Sequence, residues 1–246
     1  MQRIEVLGCP MDVASMSQTV EAVRNAVADR RFTQHVVVNV AKLVNMRKDP
    51  QLKESVHSCD IINIDGMGVV LGARFLGHAV TERVAGVDLF HELLAMSADN
   101  GFSVFLLGAK DDVLSLAVEK VQSQYPKLNI AGHHHGYFWD DEKAMVETIR
   151  ASGARLLFVA ITSPKKENFI NRWRDQLGVD FVMGVGGTFD VVAGKVKRAP
   201  KWMQNWGLEW LYRVIQEPGR MWKRYLTTNC TFAWLLLTNK LKQLIK

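Results

Sequence analysis

Ile61-Ile62-Asn63-Ile64-Asp65-Gly66 is the stretch that decides the fold. A short, mostly β-branched run reads as a strand, and here it stops abruptly at an aspartate and a glycine. Similar apolar runs occupy residues 4–7, 35–38, 104–107, 128–131 (the weakest), 156–161 and 181–185. Between them the apolar residues change to helical spacing, as at Val20, Val23 and Val27 within residues 17–30. Further helices are expected through Leu43, after Asp49-Pro50, and over residues 87–98, 113–124, 140–151 and from Pro164 to about Leu177. Gly101 and Tyr125-Pro126 supply stop signals. Strands interleaved with helices predict an α/β fold: a Rossmann-like, mainly parallel sheet flanked by helices.

The chain has 246 residues, 48% hydrophobic and 23% charged, with a formal charge of +6. That size suits one domain, or one domain with an appendage. A mean hydropathy of -0.02 argues against a disordered or membrane-spanning chain. The charge is unevenly placed. From Lys195 onward there are eleven Lys/Arg against two Glu, and Trp202, Trp206, Trp210, Trp222 and Trp234 lie in the same segment. Charge and composition change together near residues 195–200, dividing the chain into a body, 1–195, and a basic, Trp-rich helical appendage, 196–246. The longest apolar run of that appendage, residues 232–237, falls far short of the roughly 18–20 residues that cross a bilayer. No secretory leader is expected, because residues 1–10 carry one basic residue and a mixed-charge helix follows. Cys9, Cys59 and Cys230 are isolated, which fits a reduced, cytoplasmic setting.

Ligands of open parallel sheets bind beyond the carboxyl ends of strands. Asn39, Asp65-Gly66, Gly108 and residues 184–190 stand at such ends. Asp65 is either a partly desolvated general base or the N-cap of the next helix. Gly186, Gly187 and Thr188 offer backbone N–H groups to a phosphate, or form a tight turn. They match neither the P-loop nor the GxGxxG pattern, so nicotinamide chemistry lacks its fingerprint. Asp190 bonds a sugar hydroxyl or is solvated; Arg83 binds a phosphate or is a surface arginine. His133-His134-His135 cannot converge from one strand and lacks partners at helical spacing, so no metal is expected there. Asp111-Asp112 and Asp140-Asp141 read as helix starts, not as an Asp-x-Asp metal signature.

Trp202, Trp206 and Trp210 recur at i, i+4, i+8, a spacing that predicts one shared helical face, and Pro218 marks a break before a second helix. With Arg213, Arg220, Lys223 and Arg224 they suit an anionic membrane surface, or the tryptophans pack on the body while the charges stay solvated. Nucleic acid is disfavoured, since no recognised binding module accompanies the basic segment.

The ordered segments Asn63-Ile64-Asp65-Gly66-Met67-Gly68-Val69-Val70, Arg83-Val84-Ala85-Gly86-Val87-Asp88-Leu89, Ser163-Pro164-Lys165-Lys166-Glu167, residues 184–190, Val196-Lys197-Arg198-Ala199-Pro200 and Gly207-Leu208-Glu209-Trp210-Leu211-Tyr212-Arg213 resemble the WecG/TagA/CpsF family of bacterial glycosyltransferases. The likeness spans nearly the whole chain. It implies an inverting transferase moving a sugar from a UDP-sugar to a polyprenyl-diphosphate-linked saccharide at the cytoplasmic membrane face; the lack of an Asp-x-Asp signature adds the expectation that transfer needs neither metal nor cofactor. The products of such enzymes feed cell-envelope, capsular or exopolysaccharide synthesis. The resemblance implies that Asp65 is the general base, with Asn39, Arg83 and Asp190 in one pocket and Lys166 and Glu167 of the matched segment beside them; Gly108, Gly186, Gly187 and Thr188 are expected there from their places after strands. The family's appendage arginines match Arg213 and Arg220, implied to reach the diphosphate when the appendage closes at the membrane, and a third is matched by Lys223, with Arg224 beside it.

Three positions depart from the family pattern. Val37 stands where many members have threonine, Lys166 where they have a neutral amide, and Lys223 where they have arginine. Lys166 either favours a sugar bearing a carboxylate or compensates charge elsewhere. Lys223 keeps charge without the bidentate fork. The rival reading is a non-catalytic nucleotide-sugar-binding or membrane scaffold protein on the same fold, and homo-oligomers are compatible with either.

Overall fold

The structure, a computed structural model, describes residues 1–245; the side chains of Asn205 and Arg220 lie outside the described residues. In chain order the elements are β1 (Gln2–Val6), β2 (Cys9–Val13), α1 (Met16–Ala28), β3 (Thr33–Val38), α2 (Val40–Asn45), α3 (Pro50–His57), β4 (Ile61–Ile64), α4 (Met67–Phe75) and α5 (Gly86–Asn100). There follow β5 (Val104–Gly108), α6 (Asp111–Gln124), β6 (Ile130–His134), α7 (Glu142–Ala151), β7 (Leu156–Ala160), α8 (Lys165–Trp173), β8 (Phe181–Gly184) and α9 (Thr188–Val192). The chain closes with α10 (Lys201–Asn205), α11 (Glu209–Gln216) and α12 (Pro218–Leu244).

One 8-stranded sheet runs in the order β1-β2-β4-β3-β8-β7-β5-β6. All its pairings are parallel except the hairpin β1–β2. From β3 the chain moves outward to β4, whereas β8 lies on the other side of β3. The carboxyl ends of β3 and β8 therefore flank the switch in strand order, where parallel sheets bind ligands.

Alternate strand residues enter different cores, as the period of two requires. Ile61 packs with Val23, Phe90, Leu93 and Phe181 on the face covered by α1, α5, α6 and α9. Ile62 and Ile64 pack with Leu43, Val69 and Phe232 on the other face. Asn63, the polar residue of that strand, is fully buried and satisfied. Its amide oxygen lies 2.8 Å from His35 Nε2, and its Nδ2 donates to Thr19 Oγ1 at 3.2 Å. Burial lowers the His35 pKa to about 4, outweighing the Asn63 bond, so this ring is neutral at physiological pH.

Several elements differ from the sequence expectation, among them α4, which was not expected. β2 was not expected, because Pro10 and Asp12 interrupt its apolar pattern; Asp12 is buried there by a two-bond pairing with Arg3 at 2.8 Å. β6 begins two residues later than the 128–131 run, and α8 ends at Trp173, short of Leu177. Trp202, Trp206 and Trp210 do not share one helical face. Gly207, at φ 74, interrupts the chain after α10, and Trp210 belongs to α11. Pro218 does open a new helix, α12.

Helix α12 packs on α2, α4 and α11. Its Phe232 joins the core of β4, and Gly72 of α4 is the notch that admits it. A Cβ on Gly72 would stand 2.7 Å from Phe232 Cζ. Among the described residues no helix is long and apolar enough to cross a membrane.

Candidate functional site

Asp65 directly follows β4, and its N–H donates to the Val38 carbonyl at 2.9 Å. Gly66, at φ 95, then turns the chain into α4, whose N-cap makes no side-chain hydrogen bond. The carboxylate is therefore not used as a helix cap, and glycine supplies a backbone conformation that a side chain would strain. Asp65 instead stands where two cavities meet.

The first cavity, about 610 Å³, is polar and lies between the ends of β3 and β8. Lys42, Ser163, Lys166, Gly186, Thr188 and Asp190 contribute to its wall. The second, about 530 Å³, is the more apolar and lies between α4 and the C-terminal helices. Met67, Leu71, Trp206, Trp210, Tyr225 and Phe232 line it, with Arg83 at its polar end. Asn39, Asp65, Arg213, Met221 and Arg224 line both cavities.

Asp65 is half-buried. Its pKa is raised to about 6, first by burial and then by the nearby Glu209 carboxylate, against the opposing pull of Arg83, Arg213 and Lys42. Such a group is ionised near neutral pH yet holds a proton far better than an ordinary aspartate. That suits a general base. Glu209 is less suited to the task, because its Oε2 lies 3.1 Å from Arg83 Nη1 and its Oε1 4.0 Å from Arg213 Nη2. Arg83 Nη2 also donates to Gln204 Oε1 at 3.1 Å. A second link holds the C-terminal segment to the rest: Arg198 binds Asp88 through both guanidinium nitrogens, which lowers the Asp88 pKa.

Beneath the polar cavity, Glu167 Oε1 lies 2.8 Å from both Lys42 Nζ and Lys166 Nζ. The Lys166 pKa falls to about 8, chiefly through burial and the neighbouring Lys42, although Glu167 pulls upward. Glu167 is held below the usual carboxylate range because the two ammonium groups outweigh its own burial. The Lys166 ammonium is thus engaged by Glu167, which is the charge-compensating alternative. Its stem lies over Gly184, where a Cβ would come within 2.9 Å of Lys166 Cδ.

The structure gathers Asn39, Asp65, Arg83, Lys166, Gly186, Gly187, Thr188, Asp190, Arg213 and Arg224 around the two cavities. Asn39 also caps α2, its Oδ1 accepting from the Lys42 N–H at 3.0 Å. Thr188 is buried, and its hydroxyl donates to the Val185 carbonyl at 2.8 Å. Three expected residues are placed elsewhere. Gly108 lines neither cavity; at φ 123 it presses against β7, and a Cβ would stand 2.4 Å from the Ala160 oxygen. Glu167 lies under the wall as a counter-ion, and Lys223 lines neither cavity, its Nζ 5.6 Å from the Trp222 ring centroid. The Arg220 side chain falls outside the described residues. Among the described residues no cluster of His, Cys, Asp and Glu is arranged to hold a metal ion, the three consecutive histidines included.

Sequence spacing did not reveal Lys42, Gln204 or Glu209, whose partners are distant in the chain. Trp202, Trp206, Trp222 and Trp234 are exposed, Trp206 at 77% and Trp234 at 65%, so they do not form a face packed on the sheet-bearing part. Residues 4–246 match the family described as Glycosyl transferase WecG/TagA/CpsF.

Proposed function

The chain belongs to the WecG/TagA/CpsF family of glycosyl transferases, enzymes of cell-envelope polysaccharide synthesis, and from that premise we propose that it moves a sugar from a UDP-sugar to a polyprenyl-diphosphate-linked saccharide with inversion at the anomeric carbon. The observation that carries this reading is the position of Asp65 at the junction of a polar and a more apolar cavity. The polar cavity suits a nucleotide sugar, with Gly186 and Gly187 allowing close backbone approach and Asp190 available to a hydroxyl. The other cavity suits the acceptor, whose sugar must meet Asp65 while its lipid lies among apolar side chains.

In this mechanism the Asp65 carboxylate accepts the proton of the acceptor hydroxyl as that oxygen forms a bond to the anomeric carbon. The bond from that carbon to the UDP oxygen breaks on the opposite face, and its electron pair leaves with the diphosphate. Arg213 and Arg224 border both cavities and Arg83 borders the second, so guanidinium groups are placed to stabilise the departing charge. Transfer is metal-independent on this account, and a chelator leaves the rate unchanged.

Residues 1–195 act as the catalytic body and residues 196–246 as an appendage that closes the site and rests on the cytoplasmic membrane face. Exposed Trp202, Trp206, Trp222 and Trp234 beside basic residues support that part of the reading. The test is a screen of UDP-sugars, including glucose, glucuronic acid, N-acetylmannosamine and its uronic acid, against a synthetic polyprenyl-diphosphate saccharide. The expected result is acceptor-dependent UDP release with an inverted product. Absence of release with every donor, from protein that binds UDP, would overturn the reading in favour of a non-catalytic binder.

A further inference from the structure

Glu209 has no part in the proton transfer or in the binding just described, yet its surroundings are unusual for a carboxylate on a helix. It is the first residue of α11, and among the described residues its ion-pair partners are the guanidinium groups of Arg83 and Arg213. Arg83 reaches it from the loop before α5, at a separation of 126 residues, and Arg213 approaches from the next turn of α11. Arg83 is only 14% exposed at its side chain and Glu209 24%, so this contact is shielded from solvent far more than a surface pair. Helix α11 itself buries none of its residues. It packs on α12, with the Trp210 ring 6.0 Å from that of Tyr225, and the Glu209–Arg83 pair is the polar link that joins it to the body beside Asp65.

We propose that Glu209 is a positioning residue, a bridging carboxylate that draws Arg83 of the body and Arg213 of the appendage to the two sides of Asp65 and so assembles the cation pair that receives the departing diphosphate. The proposal rests on the transferase reading above. Left alone, two guanidinium groups repel each other, and one carboxylate between them removes that repulsion while leaving a net positive charge toward the cavity. Arg83 uses Nη1 on Glu209 and Nη2 on Gln204, and a guanidinium has five N–H donors, so donors remain for a diphosphate.

The same carboxylate raises the proton affinity of Asp65. The charged groups around Asp65 are Lys42 from α2, Arg83 from the loop before α5, Arg198 before α10, Glu209 and Arg213 from α11 and Arg224 from α12, with Lys166 of α8, Asp190 of α9 and Glu217 before α12 on the wall of the polar cavity it also lines. Glu209 is the charge with the largest effect on Asp65. Removing that charge lowers the pH at which Asp65 ionises.

Two measurements on the full-length protein test this. The first is hydrogen exchange of the α11 amides in Glu209→Gln, Arg83→Gln and the double variant. The expected result is a loss of protection in each single variant that does not grow in the double one. Losses that add would show that the two side chains do not act through each other and would overturn the bridge. The second is the pH dependence of kcat/KM with the donor found in the screen. In Glu209→Gln the acid limb is expected to move down by about half a pH unit or more. kcat is expected to fall about 10–100-fold, with a smaller change in the donor KM. Glu209→Asp, which keeps the charge, restores the limb. An acid limb unchanged in Glu209→Gln would overturn the positioning role, since a merely structural residue lowers rate without moving that limb. Should Glu209→Gln fold poorly, Glu209→Ser, which also removes the charge, replaces it in the exchange cycle with Arg83→Gln, with the same two outcomes. Full activity of Asp65→Asn would sink the base assignment instead, and the exchange result would still decide the bridge.

Discussion

Residues 1–195 and residues 196–245 are held in place in different ways. In the first region every strand end that reaches the site is fixed by sheet hydrogen bonds and by buried side chains on both faces. Asp65 cannot shift without moving β4, and β4 cannot shift without breaking two cores. The second region is held by helix packing, α12 on α2, α4 and α11, with Phe232 in the Gly72 notch and Met221 and Thr228 buried, and by the pairs Arg83–Glu209 and Asp88–Arg198. On the proposed reading, proton transfer needs a base placed to within a fraction of an ångström, which suits the sheet. Stabilising a departing diphosphate needs cations beside it, which suits the helices docked over the strand ends.

The substitution with the largest expected effect tests the rigid region. Asp65→Asn should lower kcat about 10²–10⁴-fold while UDP binding, measured calorimetrically, stays near wild type. Near-normal turnover would break the assignment of acid–base work to that region. Arg213→Gln combined with Arg224→Gln tests the other region and should cost about 10²–10³-fold in kcat, in steady-state assays at saturating donor. Wild-type kcat there would mean that the body neutralises the leaving group unaided.

Acidity offers a milder probe. The raised Asp65 pKa means the base is ionised above about pH 6 and protonated below it. kcat/KM should therefore fall about tenfold per pH unit below that value, and should be flat above it until another group titrates. A limb near pH 4 would show that Asp65 is not the base, or is solvated during turnover.

Phe232→Ala measures how far the regions share a core. Deleting a buried phenylalanine costs about 3 kcal/mol or more, and each kcal/mol lowers Tm by roughly 2–4 °C at this chain length. A single cooperative transition, shifted downward, is the expected calorimetric result; loss of a small separate transition would show that α12 melts alone. The smallest effect is expected from Trp206→Ala with Trp234→Ala. Binding to anionic vesicles should weaken several-fold, while transfer to a water-soluble acceptor analogue is unchanged.

Much of the sheet was legible because its strands announce themselves by composition. Ile61–Ile64 is a strand with the expected bounds, and residues 104–107 and 181–185 differ from β5 and β8 by one residue. Asn39, Asp65, Thr188 and Asp190, singled out because they follow strands, do line the cavities. The same placement also selected Gly108, whose glycine is required by backbone contact with β7. β2 escaped because its buried Asp12 depends on Arg3 of another strand, and α4 escaped because Gly68 and Gly72 weaken its helical signal. Those glycines exist for close neighbours, Val40 and Phe232, that periodicity does not reveal. The break after α10 left a signal in Gly207, but the tryptophan spacing outweighed it. Lys42–Glu167 and Arg83–Glu209 join residues 125 and 126 positions apart, a distance at which spacing says nothing about contact.

Arg213, Met221 and Arg224 are walls of both cavities at once. On the transferase reading proposed above, a body without the C-terminal helices would offer a nucleotide sugar Asp65, Lys42 and Arg83 but neither Arg213 nor Arg224, and it would lack the acceptor's wall as well. The cations that ease the diphosphate away and the chamber that receives the sugar would then be completed by the same side chains, which would leave water little chance to take the sugar.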